Sequence, residues 1–302
     1  MGPKQACSTG KAIYFRGRAT RGLPAHETRT KLKPDSSGSR EKTSITLEGY
    51  RHAVRDFGVE DEVRHTVLAL HGFGTSATSF RHLAPHLSRK GTRLIAPDQL
   101  GFGDSAKPEG VYSLDLYVRL TVGIADEMVL DRPFLLGHSA GGKIAAATVA
   151  RHPDRFSGLI LTNTGGFSVL APVLLLADTP LFRIVDLPFF RRRILRQFKI
   201  AQTVETPEQW ESFRRIRGNN RALDIDAAGY RDAVRGITLP VLLIWGLRDR
   251  MLPRGTPKRV LHDLPHAQYV PLPDSGHTPM RDEPGAFARH VVRFIEDVAS
   301  GE

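Results

Sequence analysis

Cysteine is almost absent from this chain of 302 residues: the only one is Cys7, so no disulfide can close within it and no cysteine cluster can hold zinc. Such sparing use of cysteine points to a reducing compartment. Long apolar runs are missing too. No stretch of about 18 apolar residues is free of charge, and the N-terminal residues lack the apolar centre of about 7–15 residues that marks a secretory signal. The expectation is a cytoplasmic protein without a transmembrane segment, with organelle import through the basic N-terminal residues as the alternative. Pro3 and Ala6 speak against myristoylation at Gly2. Acidic residues are in deficit, 32 against 43 Lys and Arg, giving a net charge of +11. Most of that excess lies in residues 1–43, where ten Lys or Arg meet only Glu27, Asp35 and Glu41. Zinc-finger spacing, a basic region leading into heptads and an aromatic ribonucleoprotein signature are all missing, so no nucleic-acid partner is expected. Neither a phosphate loop, a metal spacing nor a dinucleotide fingerprint occurs, so no cofactor and no metal are expected.

What the chain does have is an ordinary globular composition, 40% hydrophobic and 25% charged, with apolar runs in alternation. Residues 44–48 and 52–57 read as an opening hairpin around Gly49. Strands then read at 66–70, 92–96, 133–136, 158–162, 241–245 and 268–272. Helical spacing reads at 77–90, 113–128, 140–151, near 257–262 and at 284–298. Short apolar strands separated by helices require crossover connections, and hence a mostly parallel, doubly wound α/β sheet. The alternation breaks over residues 168–235, where apolar stretches mix with a basic cluster from Arg191 to Lys199. We read 1–43 as a basic extension expected to be disordered, 44–167 and 236–302 as the core, and 168–235 as an inserted helical cap. A membrane-surface helix is the alternative for the insertion.

Gly137-His138-Ser139-Ala140-Gly141 stands where an apolar strand runs into a helix, the setting of a nucleophile elbow. A serine hydroxyl is a weak nucleophile at neutral pH, so it needs a histidine base held in one tautomer by a carboxylate. His277 follows the last strand and Asp249 follows the strand at 241–245, so Ser139, Asp249 and His277 would all emerge at the C-terminal edge of the sheet. Asp274 is a rival acid, read as shaping the loop before His277. The oxyanion formed on attack needs donors, and the backbone N–H groups of Phe73, in His71-Gly72-Phe73-Gly74, and of Ala140 are the candidates. His71 itself is read as structural. His138 and Trp245 sit at strand ends, where they either touch substrate or pack beneath the cap, and Arg248 is read as solvated.

These motifs resemble the α/β-hydrolase superfamily, in particular its capped branch of esterases, C–C bond hydrolases, cofactor-free haloperoxidases, epoxide hydrolases and dehalogenases, over about residues 44–299. The stretch Pro97-Asp98-Gln99-Leu100-Gly101-Phe102-Gly103-Asp104-Ser105 is similar to the family's glycine-rich loop, with Gln99 and Leu100 departing from its commoner residues. Epoxide hydrolases and dehalogenases carry Asp where this chain has Ser139. The meta-cleavage type of C–C hydrolase has a proline that Gly72-Phe73-Gly74 lacks. The resemblance implies an α/β-hydrolase fold and a serine hydrolase acting through an acyl-enzyme on a small-molecule ester, an apolar molecule carrying a carbonyl. C–C hydrolase or haloperoxidase chemistry on the same triad is one alternative, and a non-catalytic ligand sensor on the same fold is another.

Overall fold

The computed structural model describes residues 30–32, 41–109, 112–167 and 227–301. Nine strands among these form one sheet: β1 (Thr30–Leu32), β2 (Glu41–Leu47), β3 (Tyr50–Asp56), β4 (His65–Leu70), β5 (Thr92–Pro97), β6 (Phe134–His138), β7 (Gly158–Thr162), β8 (Val241–Gly246) and β9 (Gln268–Leu272). Their spatial order is β1-β2-β3-β5-β4-β6-β7-β8-β9. The first three run antiparallel to their neighbours, whereas β5-β4-β6-β7-β8-β9 are parallel. Seven α-helices among the described residues cover it: α1 (Ala84–Ser88), α2 (Leu114–Glu127), α3 (Ala140–Arg151), α4 (Ala227–Arg235), α5 (Thr256–Asp263), α6 (Pro279–Asp282) and α7 (Pro284–Ser300).

Consecutive side chains of a strand point to opposite faces, so an apolar run without polar alternation has to be buried on both. In β7, Leu159 and Leu161 enter the cluster under α2 and α3, and Ile160 enters the one under α1 and α7. Val241, Leu243 and Trp245 of β8 likewise face one side, Leu242 and Ile244 the other. Each such fully buried aliphatic side chain contributes about 1.5–3 kcal/mol relative to exposure. This two-sided core fixes the strand ends from which the loops at the C-terminal edge depart. The order reverses between β4 and β6, which lie side by side while β5 and β7 lie on opposite sides of them, the switch point at whose C-terminal edge doubly wound sheets place ligands.

The elements differ from the sequence reading at three places. The helix expected over 77–90 is split into a 3-10 turn (Ala77–Phe80) and α1, because Pro85 has no N–H to bond the preceding turn and is tolerated only in the first turn of a new helix. Ordered strand begins before residue 44: β2 starts at Glu41, and β1 pairs with it through Thr30↔Ser44 and Leu32↔Lys42. Residues 1–29 and 33–40 of the expected extension lie outside the described residues, as do 168–226 of the expected cap with its basic cluster. The last nine residues of that cap span form α4, which packs on α3 and α5 of the core. Its Arg231 donates to Asp263 at 2.6 and 2.9 Å and its Arg235 to the same carboxylate at 3.0 Å. No helix among the described residues is long and apolar enough to cross a membrane.

Candidate active site

Strand β6 turns into α3 at Ser139, whose backbone sits at φ 52° and ψ −118°. A non-glycine residue there carries strain of about 1–3 kcal/mol and stays only if its surroundings hold it. Three hydrogen bonds do so: Ser139 N–H donates to the Thr162 carbonyl at 3.1 Å, and its own carbonyl accepts from Gly142 N–H at 3.0 Å and Gly165 N–H at 2.9 Å. The sharpness of the turn also demands Gly137, where a Cβ would lie 2.5 Å from the Gly141 carbonyl oxygen and the Gly142 Cα. The result is a half-buried serine at the tip of the turn, with the first residue of α3, Ala140, beside it. The N–H groups that open a helix have no carbonyl partner within it, so the amide of Ala140 is of the kind that receives an anion.

Asp249 lies in the loop after β8, and its side chain is 3% exposed. His277 Nδ1–H donates to its Oδ2 at 2.9 Å. Its Oδ1 accepts the Met251 N–H at 2.7 Å and the Leu252 N–H at 3.2 Å, and Asn163 Nδ2–H donates to Oδ2 at 2.7 Å. Burial alone raises a carboxyl pKa, but the bonds from His277 and Asn163 outweigh it and hold Asp249 below the usual carboxylate range. With Nδ1 carrying the proton, the lone pair of His277 is on Nε2. Asp274 is turned instead to the exposed Arg248, with which it pairs, so the two charges read from sequence as a rival acid and a solvated cation satisfy one another.

Two carboxylates absent from the sequence reading hold the histidine loop. Gly276 N–H donates to Asp282 Oδ2 at 2.8 Å, and Ser275 Oγ donates to Glu283 Oε2. His138 braces the same loop from the elbow: its Nε2–H donates to the His277 carbonyl at 2.8 Å, and the two rings stand 5.0 Å apart. His138 is 2% exposed, and burial, reinforced by the charge of His277, pushes its pKa down to about 3. Its Nε2 is thus engaged in bracing the loop, whereas its buried Nδ1 has no hydrogen-bond partner among the described residues. Trp245 is 3% exposed and belongs to the core cluster on the α2 and α3 side.

The loop after β4 closes over the serine: a Cβ on Gly72 would lie 3.1 Å from Ser139 Cβ and 2.9 Å from His138 Nδ1. His71 anchors this loop and is fully buried. Its Nδ1–H donates to the Gly72 carbonyl at 2.8 Å, while Nε2 accepts the Gln99 N–H at 2.9 Å. The Gln99 amide returns a bond to the His71 carbonyl at 2.5 Å, so the residue that departs from the commoner pattern forms half of a reciprocal clamp. Burial lowers the pKa of His71 against the pull of Asp98, which keeps the ring neutral in this role. Asp98 organises the adjoining turns by accepting the Ala77 and Asp104 N–H groups, each at 2.7 Å. Phe73, the residue after Gly72 in the loop that follows β4, packs edge-on against Phe102 at 5.3 Å.

The structure thus gathers Ser139, His277, Asp249, Gly72, Phe73 and Ala140 at one edge of the sheet. Among the described residues, no group of three or more His, Cys, Asp or Glu side chains is placed to hold a metal ion. Sequence reasoning missed Asn163, Asp282 and Glu283. All three are polar residues in loops or at helix ends, where such residues are ordinary, and only the position of Asn163 just past a strand end held a signal.

A family model described as alpha/beta hydrolase fold matches residues 65–205. The chain is 30% identical over 275 residues to a 2-hydroxymuconate semialdehyde hydrolase of Pseudomonas putida, covering 84% of this chain and 93% of that protein. It is 29% identical over 231 residues to Lipase 3 of a Moraxella species, covering 71% and 72%. Among solved structures, a meta-cleavage product hydrolase from Pseudomonas fluorescens superposes with a TM-score of 0.67 at 26% identity, covering 84% of this chain and 97% of that one.

Proposed function

Because the chain belongs to the α/β-hydrolase family, we propose that it is a serine hydrolase that cleaves a small-molecule ester through an acyl-enzyme. The observation that carries this reading is the bond from His277 Nδ1 to Asp249, which leaves Nε2 as the basic nitrogen of a ring that stands 5.0 Å from that of His138, the neighbour of the strained Ser139. Ser139 Oγ attacks the ester carbonyl as His277 Nε2 takes its proton, and the imidazolium is stabilised by the buried Asp249 carboxylate. The oxyanion is received by the backbone N–H groups of Phe73 and Ala140. Collapse expels the alcohol with the proton from His277. Water, deprotonated by the same nitrogen, then releases the acid and restores Ser139.

The test is turnover of a short-chain and a long-chain aryl ester by wild type and Ser139→Ala, with fluorophosphonate labelling of both. Labelling and turnover should vanish together in the variant. Labelling without turnover of either ester would favour a ligand sensor or a more specialised substrate, and an unlabelled wild type would sink the serine mechanism. A second reading, C–C bond hydrolysis of the meta-cleavage type, draws on the relative at 30% identity, although the loop at Gly72-Phe73-Gly74 lacks that subclass's proline. Consumption of a meta-cleavage product faster than of the aryl esters would favour it.

A further inference from the structure

Asn163 is the first residue after β7 and is fully buried, with its backbone at φ 39° in the left-handed region that Asn tolerates better than most residues. Its amide is used at both ends. Oδ1 accepts the Gly246 N–H at 3.0 Å, which ties the end of β7 to the end of β8. Nδ2–H donates to Asp249 Oδ2 at 2.7 Å, the same oxygen that receives His277 Nδ1–H. The two backbone bonds to Oδ1 from Met251 and Leu252 fix one end of the carboxylate. Asn163 fixes the other, because with one lone pair of Oδ2 committed to the amide, the second is held on the line to His277.

We propose that Asn163 is a positioning residue of the hydrolytic site, aiming the Asp249 carboxylate at His277 and limiting its basicity through a shared oxygen. The proposal rests on the reading of Asp249 as the triad acid. The two ends of the amide separate a structural role from a functional one. The bond from the Gly246 N–H needs only an acceptor, which an aspartate would still supply, and the second contact with that residue, from Nδ2–H to its carbonyl, is long at 3.4 Å. The Asp249 bond needs a donor, which an aspartate supplies only while protonated. Once ionised, an aspartate in place of Asn163 would set two like charges at hydrogen-bond distance, and proximity of the two carboxylates would raise the pH at which that happens.

Two variants test this, with kcat expressed per active site titrated by fluorophosphonate, so that incompletely folded protein does not enter the rate. Asn163→Gly accepts the positive φ and removes the amide. Its kcat should fall by about 10²-fold with KM within about threefold, as expected for misaimed groups. The acidic limb of its pH profile should rise by about half a pH unit, because the freed oxygen holds the imidazolium more strongly. Asn163→Asp keeps the bond to Gly246, and it should lose activity as pH rises, along an alkaline limb that wild type lacks. Wild-type per-site kcat and wild-type limbs in both variants would overturn the proposal and leave Asn163 as a tie between two strands. The same measurements on Asp249→Asn separate the two levels: if that variant is unimpaired, the acid assignment itself has failed. If it is impaired while both Asn163 variants match wild type, only the role of Asn163 is wrong.

Discussion

Asp249 and His277 are joined across the ends of β8 and β9 by a 2.9 Å hydrogen bond, whereas Asp274, only three residues before His277, is paired with Arg248 at the surface. Closeness in sequence is thus decoupled from closeness in space. The sheet carries Asp249 to the histidine, and the turn before His277 points Asp274 outward.

From this contrast we expect Asp249→Asn to lower kcat by up to about 10⁴-fold through loss of tautomer support, on the serine-protease precedent. Asp274→Asn should stay within about threefold, because an exposed ion pair is worth only about 0–1 kcal/mol. Steady-state kinetics on a single aryl ester decides it, and the reverse ranking would transfer the acid role to Asp274.

Strain at Ser139 gives a second prediction. At φ 52° and ψ −118° glycine is unstrained and alanine is not. Both Ser139→Gly and Ser139→Ala should be inactive, but the glycine variant should be the more stable by about 1 kcal/mol, read as a higher midpoint in urea unfolding. Equal midpoints would mean that the turn relaxes once the hydroxyl is gone.

Much of this architecture was legible because it follows from backbone periodicity. The unbroken apolar runs at 158–162 and 241–245 could be buried only on two faces, and parallel strands align their C-terminal ends, so Ser139, Asp249 and His277 converge without any knowledge of their contacts. Residues that act through one bond to a distant partner were less legible. Nothing near Asn163 in sequence says that Asp249, 86 residues on, will need its amide. His138 was visible, but its use was not, since an imidazole beside the serine suits substrate contact and bracing equally until the His277 carbonyl is found 2.8 Å away. The split of the expected 77–90 helix could have been read from Pro85. Strand β1 and the first three residues of β2 lie among basic residues that mask their pattern.

Gly72 supports a third prediction. A Cβ there would meet Ser139 Cβ at 3.1 Å and His138 Nδ1 at 2.9 Å, and both residues are pinned, Ser139 by its three backbone bonds and His138 by the His277 carbonyl. The loop bearing Phe73 therefore has to yield. Gly72→Ala should lower kcat by about 10²–10³-fold, the scale of losing one oxyanion donor, while His277 still activates the serine. Slowed turnover with fluorophosphonate labelling retained is the expected pattern, and wild-type kcat would remove the loop from the oxyanion site.

The buried imidazoles set a pH dependence of stability whose sign can be worked out. His138 titrates at about 3 in the folded protein, because burial disfavours its charged form, and near 6.5 when unfolded. Between those values the unfolded chain binds a proton that the folded chain refuses. The stability associated with this site is therefore complete above pH 6.5 and is lost as pH falls towards 3. His71 and His52, also depressed by burial, act in the same direction, whereas the loss from the depressed carboxylate of Asp249 enters only below about pH 4. Replacing His138 by Gln keeps an N–H donor for the His277 carbonyl but removes the titration. Urea unfolding at pH 7.5 and pH 5.5 should then show the variant losing about 1.4 kcal/mol less than wild type over that interval, the value of one proton taken up by the unfolded chain. An equal loss in the two proteins would mean that His138 is protonated inside the fold, and that its bond to the His277 carbonyl is made by an imidazolium.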